Sequence, residues 1–261
     1  MMTRLANPAR FMRVSGAALP WLGGATAIAL AIGLVWALLL SPPDYQQGES
    51  VRIMFIHVPS AVMAEGVYYL IALASFVALV WRHPLADVAA QAAAPLGAAF
   101  TLVCLATGSL WGRPMWGTWW VWDARLTSVL VLFFLYLGYI ALVNAFDDAS
   151  RGARAGSILA LVGVVDLPII KFSVDWWNTL HQPASILRTG GPTIDASMLV
   201  PLLIMALGFG LLFATLLVLR MRTALNERKA RALRLYAVEP RATEAAERLP
   251  AAGAAARMRR A

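Results

Sequence analysis

Six long apolar runs dominate the chain, each near the roughly 20 residues that a helix needs to cross a ~30 Å hydrocarbon core. They fall at Pro20–Leu40, Val58–Trp81, Ala93–Leu110, Leu126–Phe146, Ala155–Phe172 and Met198–Leu219. The pattern predicts an all-α integral membrane protein with six transmembrane helices. The fifth run contains Asp166 and Pro168. Polar or helix-breaking residues at that depth face protein or a cavity rather than lipid. Three polar connections are expected on one side: Ser41 to His57, the segment 110–128, and Val174 to Ser197.

Charge orients the bundle. Arg4, Arg10 and Arg13 precede the first run, and the stretch from Arg220 to Ala261 carries eleven Lys and Arg against four Glu. Cytoplasmic connections carry the excess of Lys and Arg, so both termini read as cytoplasmic, as an even number of spans requires. The inner connections then hold Arg82, Arg151 and Arg154, and the outer ones Arg52, Arg113, Arg125 and Arg188. The first run exceeds the roughly 7–15 residues of a signal h-region and is followed by no A-x-A site, so it is expected to stay attached.

Composition agrees: 60% of the 261 residues are hydrophobic and 14% charged, with a mean hydropathy of +0.69. A soluble domain has about 45–50% apolar residues. The net charge of +8 comes mostly from the C-terminal stretch, where eleven minus four gives +7. This divides the chain into a transmembrane part, 1–222, and a basic tail, 223–261, which reads as solvated chain held near anionic membrane lipid rather than as a nucleic-acid binder. After Pro240 the tail becomes rich in Ala, Arg and Glu and is expected to fray or form a loose helix. Cys104 is the single cysteine, so there is no disulfide within the chain and no C-x-x-C. No Walker loop or G-x-G-x-x-G is present, so nucleotide chemistry belongs to a partner.

The chemistry concentrates outside. Seven of the ten tryptophans lie on the outer connections: Trp111, Trp116, Trp119, Trp120, Trp122, Trp176 and Trp177. Interfacial belts collect tryptophan at both membrane surfaces, and Trp176 and Trp177 need no more than that. Five indoles within twelve residues of one connection are too local for a belt. Gly112, Pro114 and Gly117 are expected to fold that segment tightly instead of letting it continue as helix. The result would be an aromatic shelf suited to a flat, π-rich ligand.

Histidines narrow the ligand. His83, followed by Pro84 in a short inner turn, reads as structural. His57 and His181 flank the shelf from two other connections, both read as loops, and no further histidine lies within a span. Two neutral imidazoles over an aromatic platform are what a haem iron accepts as axial ligands. Zinc would want two more protein ligands, and no cysteine is on that face. Without C-x-x-C-H the haem would be b-type and non-covalent. Arg52, Arg113 and Arg125 are candidate propionate contacts, or else solvated charges. Asp123 would accept backbone or indole N–H bonds, or pair with Arg125. Glu65, two turns below His57, is either a satisfied carboxyl or a partner of the site.

The stretch WGRPMWGTWWVWDARLTS resembles the WWD signature of haem-handling proteins. With PDYQQG, FIHVPSA, VVDLPIIKFSVDWWNTLHQ and six spans, the chain resembles the CcmC family of the cytochrome c maturation system from about Trp21 to Arg222. That resemblance implies haem held at the periplasmic face of a bacterial inner membrane. His57 and His181 would be the axial ligands, and Trp111, Trp116, Trp119, Trp120, Trp122 and Asp123 the contacts. It implies delivery to a haem chaperone resembling CcmE, in company with ABC transporter subunits resembling CcmA and CcmB and a small membrane protein resembling CcmD. CcmF-type and CcsA-type relatives share the signature; the former are much longer, with more spans and histidines. The expectation is a binding and transfer module rather than an enzyme, since no acid–base or nucleophile pair accompanies the imidazoles. The alternative is a permease subunit exporting haem, which should line a mid-membrane path with polar residues; Asp166 and Glu65 are the candidates.

Overall fold

The computed structural model describes residues 7–182, 185–186 and 190–247. Arg4, Pro183 and Arg188 lie outside the described residues. Among the described residues seven α-helices follow in order: α1 Pro8–Val35, continued by a wider π turn at Trp36–Leu40; α2 Met54–Trp81, entered through a 3-10 turn at Glu49–Ile53; α3 Pro84–Trp116; α4 Ala124–Asn144; α5 Ala149–Gly163; α6 Asp166–Trp176; and α7 Ala196–Glu247. Among the described residues six stretches are long and apolar enough to span a membrane: Pro8–Leu40, Glu49–Trp81, Pro84–Trp116, Ala124–Asn144, Ala149–Trp176 and Ala196–Arg234. The chain is therefore an all-α, multi-pass membrane protein.

The helices overrun their apolar runs because polar caps, not hydropathy, set their ends. The Asn7 side chain accepts from Ala9 N at 2.9 Å and Arg10 N at 3.2 Å, and Pro8 occupies the first position, where its missing N–H is harmless. Arg10 and Arg13 thus ride on α1 instead of preceding it. Asp148 caps α5 through Ser150 N at 2.8 Å.

The fifth run is not one helix. It breaks at Val164–Val165 into α5 and α6, and Asp166 is the buried first residue of α6. Pro168 stands in the first turn of α6; having no N–H to bond the carbonyl of Val164 four residues back, it fits a break at that point. Of the two forms expected for the tail, the described part is helical, since α7 continues through Pro240 to Glu247. The chain divides into two compact units, Met1–Met221 and Arg222–Ala261.

Two sealed clusters hold the first unit. In the larger, Tyr68 and Ile71 of α2 meet a small-residue face of α3 (Ala90, Ala93, Ala94) and Leu132, Tyr136 and Tyr139 of α4. The Tyr136 hydroxyl donates to Ala64 O at 2.7 Å. In the smaller, Met54 and Phe55 are wedged beside Ala37 and against Leu202 and Met205 of α7. That wedge fixes the first turn of α2.

Candidate functional site

His57 is in that first turn, on a helix and not in a loop. The correction has a packing cause: with Met54 and Phe55 buried, the helix must already have begun when the chain reaches His57. Its Nδ1 lies 3.1 Å from Cys104 O and 3.1 Å from Thr107 Oγ1 on α3. A carbonyl only accepts, and the Thr107 hydroxyl already donates to Val103 O at 2.6 Å. Both neighbours are therefore acceptors, so Nδ1 carries the proton and Nε2 keeps a bare lone pair. Gly108 makes room for the ring: a Cβ there would come within 3.0 Å of His57 Cε1.

Trp111 meets His57 edge-on, with centroids 5.7 Å apart and planes at 75°. Its indole N–H donates to Gln47 Oε1 at 2.9 Å. Gln47 is set by Asp44, whose carboxylate accepts from Gln46 N at 2.9 Å and Gln47 N at 2.8 Å, in a turn closed by paired Asp44 and Gly48 backbone bonds. The PDYQQG stretch thus orients an indole.

His181 lies on irregular chain after α6. Its N–H donates to Thr179 Oγ1 at 3.1 Å, and the Thr179 hydroxyl donates to Asp123. Asp123 also accepts from Leu126 N at 2.8 Å, capping α4. It acts as helix cap and tether, and it is not paired with Arg125. His181 Nδ1 faces Gln182 O at 2.8 Å, so here too Nδ1 bears the proton and Nε2 is free. Burial, followed by the nearby Arg125 charge, lowers the His181 pKa from its ordinary value and keeps the ring neutral.

The tryptophan segment is not folded as its composition suggests. α3 runs straight through Gly112 and Pro114 to Trp116. Gly112 is small for packing, not bending, since a Cβ there would stand 3.0 Å from the Trp116 ring. Gly117 ends the helix at φ 75°, in the left-handed region that favours glycine, with its N–H on Arg113 O at 3.1 Å. The indoles therefore divide. Trp111, Trp116 and Trp120 line a cavity, whereas Trp119 and Trp122 are 54% and 75% exposed and lie outside its lining. Trp176 and Trp177 are exposed, Trp176 stacking on Phe172 at 5.4 Å.

The cavity occupies about 940 Å³ counting its open mouth, at the end of the bundle where α2 and α4 begin and α3 and α6 end. His57 and His181 both line it, as do Arg125 and, deeper along α2, Glu65; Asp166 does not. Arg52 is engaged with Glu49 and with the carbonyls of Ala37 and Leu38. The Arg113 guanidinium folds onto Gly117 O. His83 caps α3 through Ala86 N at 3.2 Å, as its structural reading requires. Among the described residues no three His, Cys, Asp or Glu gather to hold a bare metal ion. Two imidazoles lining one cavity with three indoles are a donor set that suits a metal already ringed by a macrocycle.

Sequence reasoning missed Thr107, Gly108, Thr179 and Gln47. Cys104, Thr107, Gly108 and Trp111 do share one helical face by spacing, but nothing in the sequence says that His57 is what they face.

The family model described as "CcmC: Heme exporter protein C" matches residues 1–236. The chain is 61% identical to heme exporter protein C of Bradyrhizobium diazoefficiens over 231 residues, 88% of each chain. It is 52% identical to that of Escherichia coli K12 over 84% of this chain and 88% of the relative. With that of Paracoccus denitrificans the figures are 46%, 87% and 95%. Identity of this degree over nearly the whole of both partners means that the chain belongs to the heme exporter protein C (CcmC) family.

Proposed function

We propose that this chain holds haem without covalent attachment between Nε2 of His57 and Nε2 of His181, and passes it to a chaperone resembling CcmE. The reading places the site at the periplasmic face of a bacterial inner membrane, with both termini cytoplasmic. The single observation that carries it is the matched state of the two imidazoles: each has Nδ1 turned onto a carbonyl, and both rings line one cavity. A neutral imidazole with its second nitrogen so bonded is an oriented, strengthened metal ligand.

The remaining residues do simpler work. Trp111, Trp116 and Trp120 offer apolar and π surface to a flat ring. Asp123 fixes the His181 segment through Thr179 rather than touching the cargo. Arg125 is the cation on the wall, while Arg52 and Arg113 are committed to backbone and carboxylate partners. Trp119 and Trp122, exposed beside the cavity, are left for an acceptor. Partners resembling CcmA, CcmB and CcmD would supply the nucleotide chemistry and membrane contacts. The permease reading needs a continuous polar path. Glu65 is on the wall and Asp166 is not, which favours holding over conduction.

The absorption spectrum of the purified protein tests this. His57→Ala and His181→Ala should each alter the haem bands and weaken retention by about tenfold or more, with partial rescue by added imidazole. His83→Ala should change neither. A wild-type spectrum from the His181 variant would dispose of bis-histidine ligation. Trp119→Ala with Trp122→Ala should retain haem and lose its transfer to the chaperone.

A further inference from the structure

Asp166 Oδ2 and the Tyr68 hydroxyl are buried polar atoms with no hydrogen-bond partner. Asp166 is 9% exposed and Tyr68 0%, and neither lines the cavity that the two histidines share. They come from different helices, Tyr68 from α2 and Asp166 from the start of α6, yet both stand at the break in the fifth span. Gly163, the last residue of α5, leaves the room: a Cβ there would collide with the Tyr68 hydroxyl. Asp166 follows three residues later, near enough for its charge to bear on that hydroxyl. Among the described residues no cation pairs with the Asp166 carboxylate; the ion pairs found are Arg52 with Glu49 and Arg151 with Asp148.

Buried polar groups are nearly always bonded, and at membrane depth no lipid tail can stand in as a partner. The two orphans are complementary, since a carboxylate oxygen accepts and a phenol hydroxyl both donates and accepts. They are neighbours but not bonded to each other, so what joins them is small and can donate and accept at once. Water does both. A hard cation asks for about six oxygens, and among the described residues no three His, Cys, Asp or Glu gather here or elsewhere. We propose that Asp166 and Tyr68 hold one ordered water at the α5–α6 break, the water donating to Asp166 Oδ2 and accepting from the Tyr68 hydroxyl. Buried waters make about three hydrogen bonds, and the end of α5 and the start of α6 leave backbone groups without in-helix partners for the third.

The water is a joint between two supports. α2 carries His57 in its first turn, and α6 leads into the chain that carries His181, so a tie from Tyr68 to Asp166 sets one imidazole's support against the other's. Leu167 and Ile170 pack α6 into the larger cluster. Apolar packing is non-directional, and the bonded water adds the direction. Asp166 and Tyr68 are then positioning residues for the His181 segment, and this role rests on the haem reading above.

Hydroxyl-radical labelling by X-ray radiolysis, on full-length haem-free protein in heavy-oxygen water, tests the site, because radicals made from a bound water mark the side chain beside it. Tyr68 should take up the label although it is buried, whereas Phe55, equally buried at 0%, should not. Asp166→Leu should abolish the Tyr68 label, and Asp166→Asn, which keeps an acceptor oxygen, should retain it. A wild-type Tyr68 label no greater than that of Phe55 overturns the site, whatever the variants do. Thermal stability that falls when sodium and potassium are replaced by choline would make the ligand a cation, and overturns it too. The positioning role is read from the haem spectrum: Asp166→Leu should move it toward that of His181→Ala, and Asp166→Asn should restore the wild-type bands. Wild-type bands from a label-free Asp166→Leu protein overturn that role and leave the haem reading standing. Absence of haem bands from the wild type would remove the haem reading and the positioning role with it, whereas the Tyr68 label decides the water without haem.

Discussion

A carbonyl oxygen accepts and never donates, and at His57 and His181 this one fact assigns the protons. The consequence for pH follows. Burial and Arg125 lower the His181 pKa below the ordinary value of 6.5. A depressed folded pKa means that stabilisation by the neutral ring is fully present above about 6.5 and is lost as pH falls through the lowered value. In haem-free protein, an NMR titration of His181 should therefore give a midpoint below 6.5, and cleavage of the 177–195 segment by added protease should rise only on acidification past it. A midpoint at or above 6.5 would contradict the burial seen here. The two histidines were legible in the sequence because histidine is scarce and both fell on connections expected on the same face as the tryptophans. Thr107 and Thr179 were not, since a hydroxyl is common and its partner lies 50 residues away for Thr107 and 56 for Thr179.

Along α3, Cys104, Thr107, Gly108 and Trp111 recur at helical spacing and together make a socket for one imidazole. Gly108→Ala should press on that ring from 3.0 Å and change the haem spectrum. Thermal stability should change by less than about 1 kcal/mol, the helix-interior advantage of alanine over glycine offsetting the cost of that contact. An unchanged spectrum would show that the socket yields. Punctuation residues were where the sequence misled. Pro114 removes a single N–H near a helix end that the Trp111 to Gln47 hydrogen bond ties to the first connection, so the stronger stop, Gly117 with its positive φ, decides the terminus. In the fifth run the reverse occurred: Pro168 cannot bond back to Val164, and the helix breaks at Val164–Val165, a point that hydropathy alone does not register.

For the whole molecule, six spans were readable because a bilayer imposes length and apolarity on every crossing, and caps such as Asn7 and Asp148 merely extend them. Reporters fused after Gly48, Gly117 and Gly190 should all register the outer compartment, and those near Asp87, Gly152 and Arg231 the inner one. A cytoplasmic signal from the Gly117 fusion would remove the periplasmic site. Within that frame the two imidazoles are mounted unequally. His57 stands on a helix whose first turn is wedged into a sealed cluster, while His181 hangs from three hydrogen bonds on irregular chain. Irregular segments open at far less cost than packed helices unwind. On the proposed bis-histidine reading the cargo should accordingly have a leaving order, His181 letting go first, so that an arriving acceptor need bring only one replacement ligand before the molecule is half unloaded.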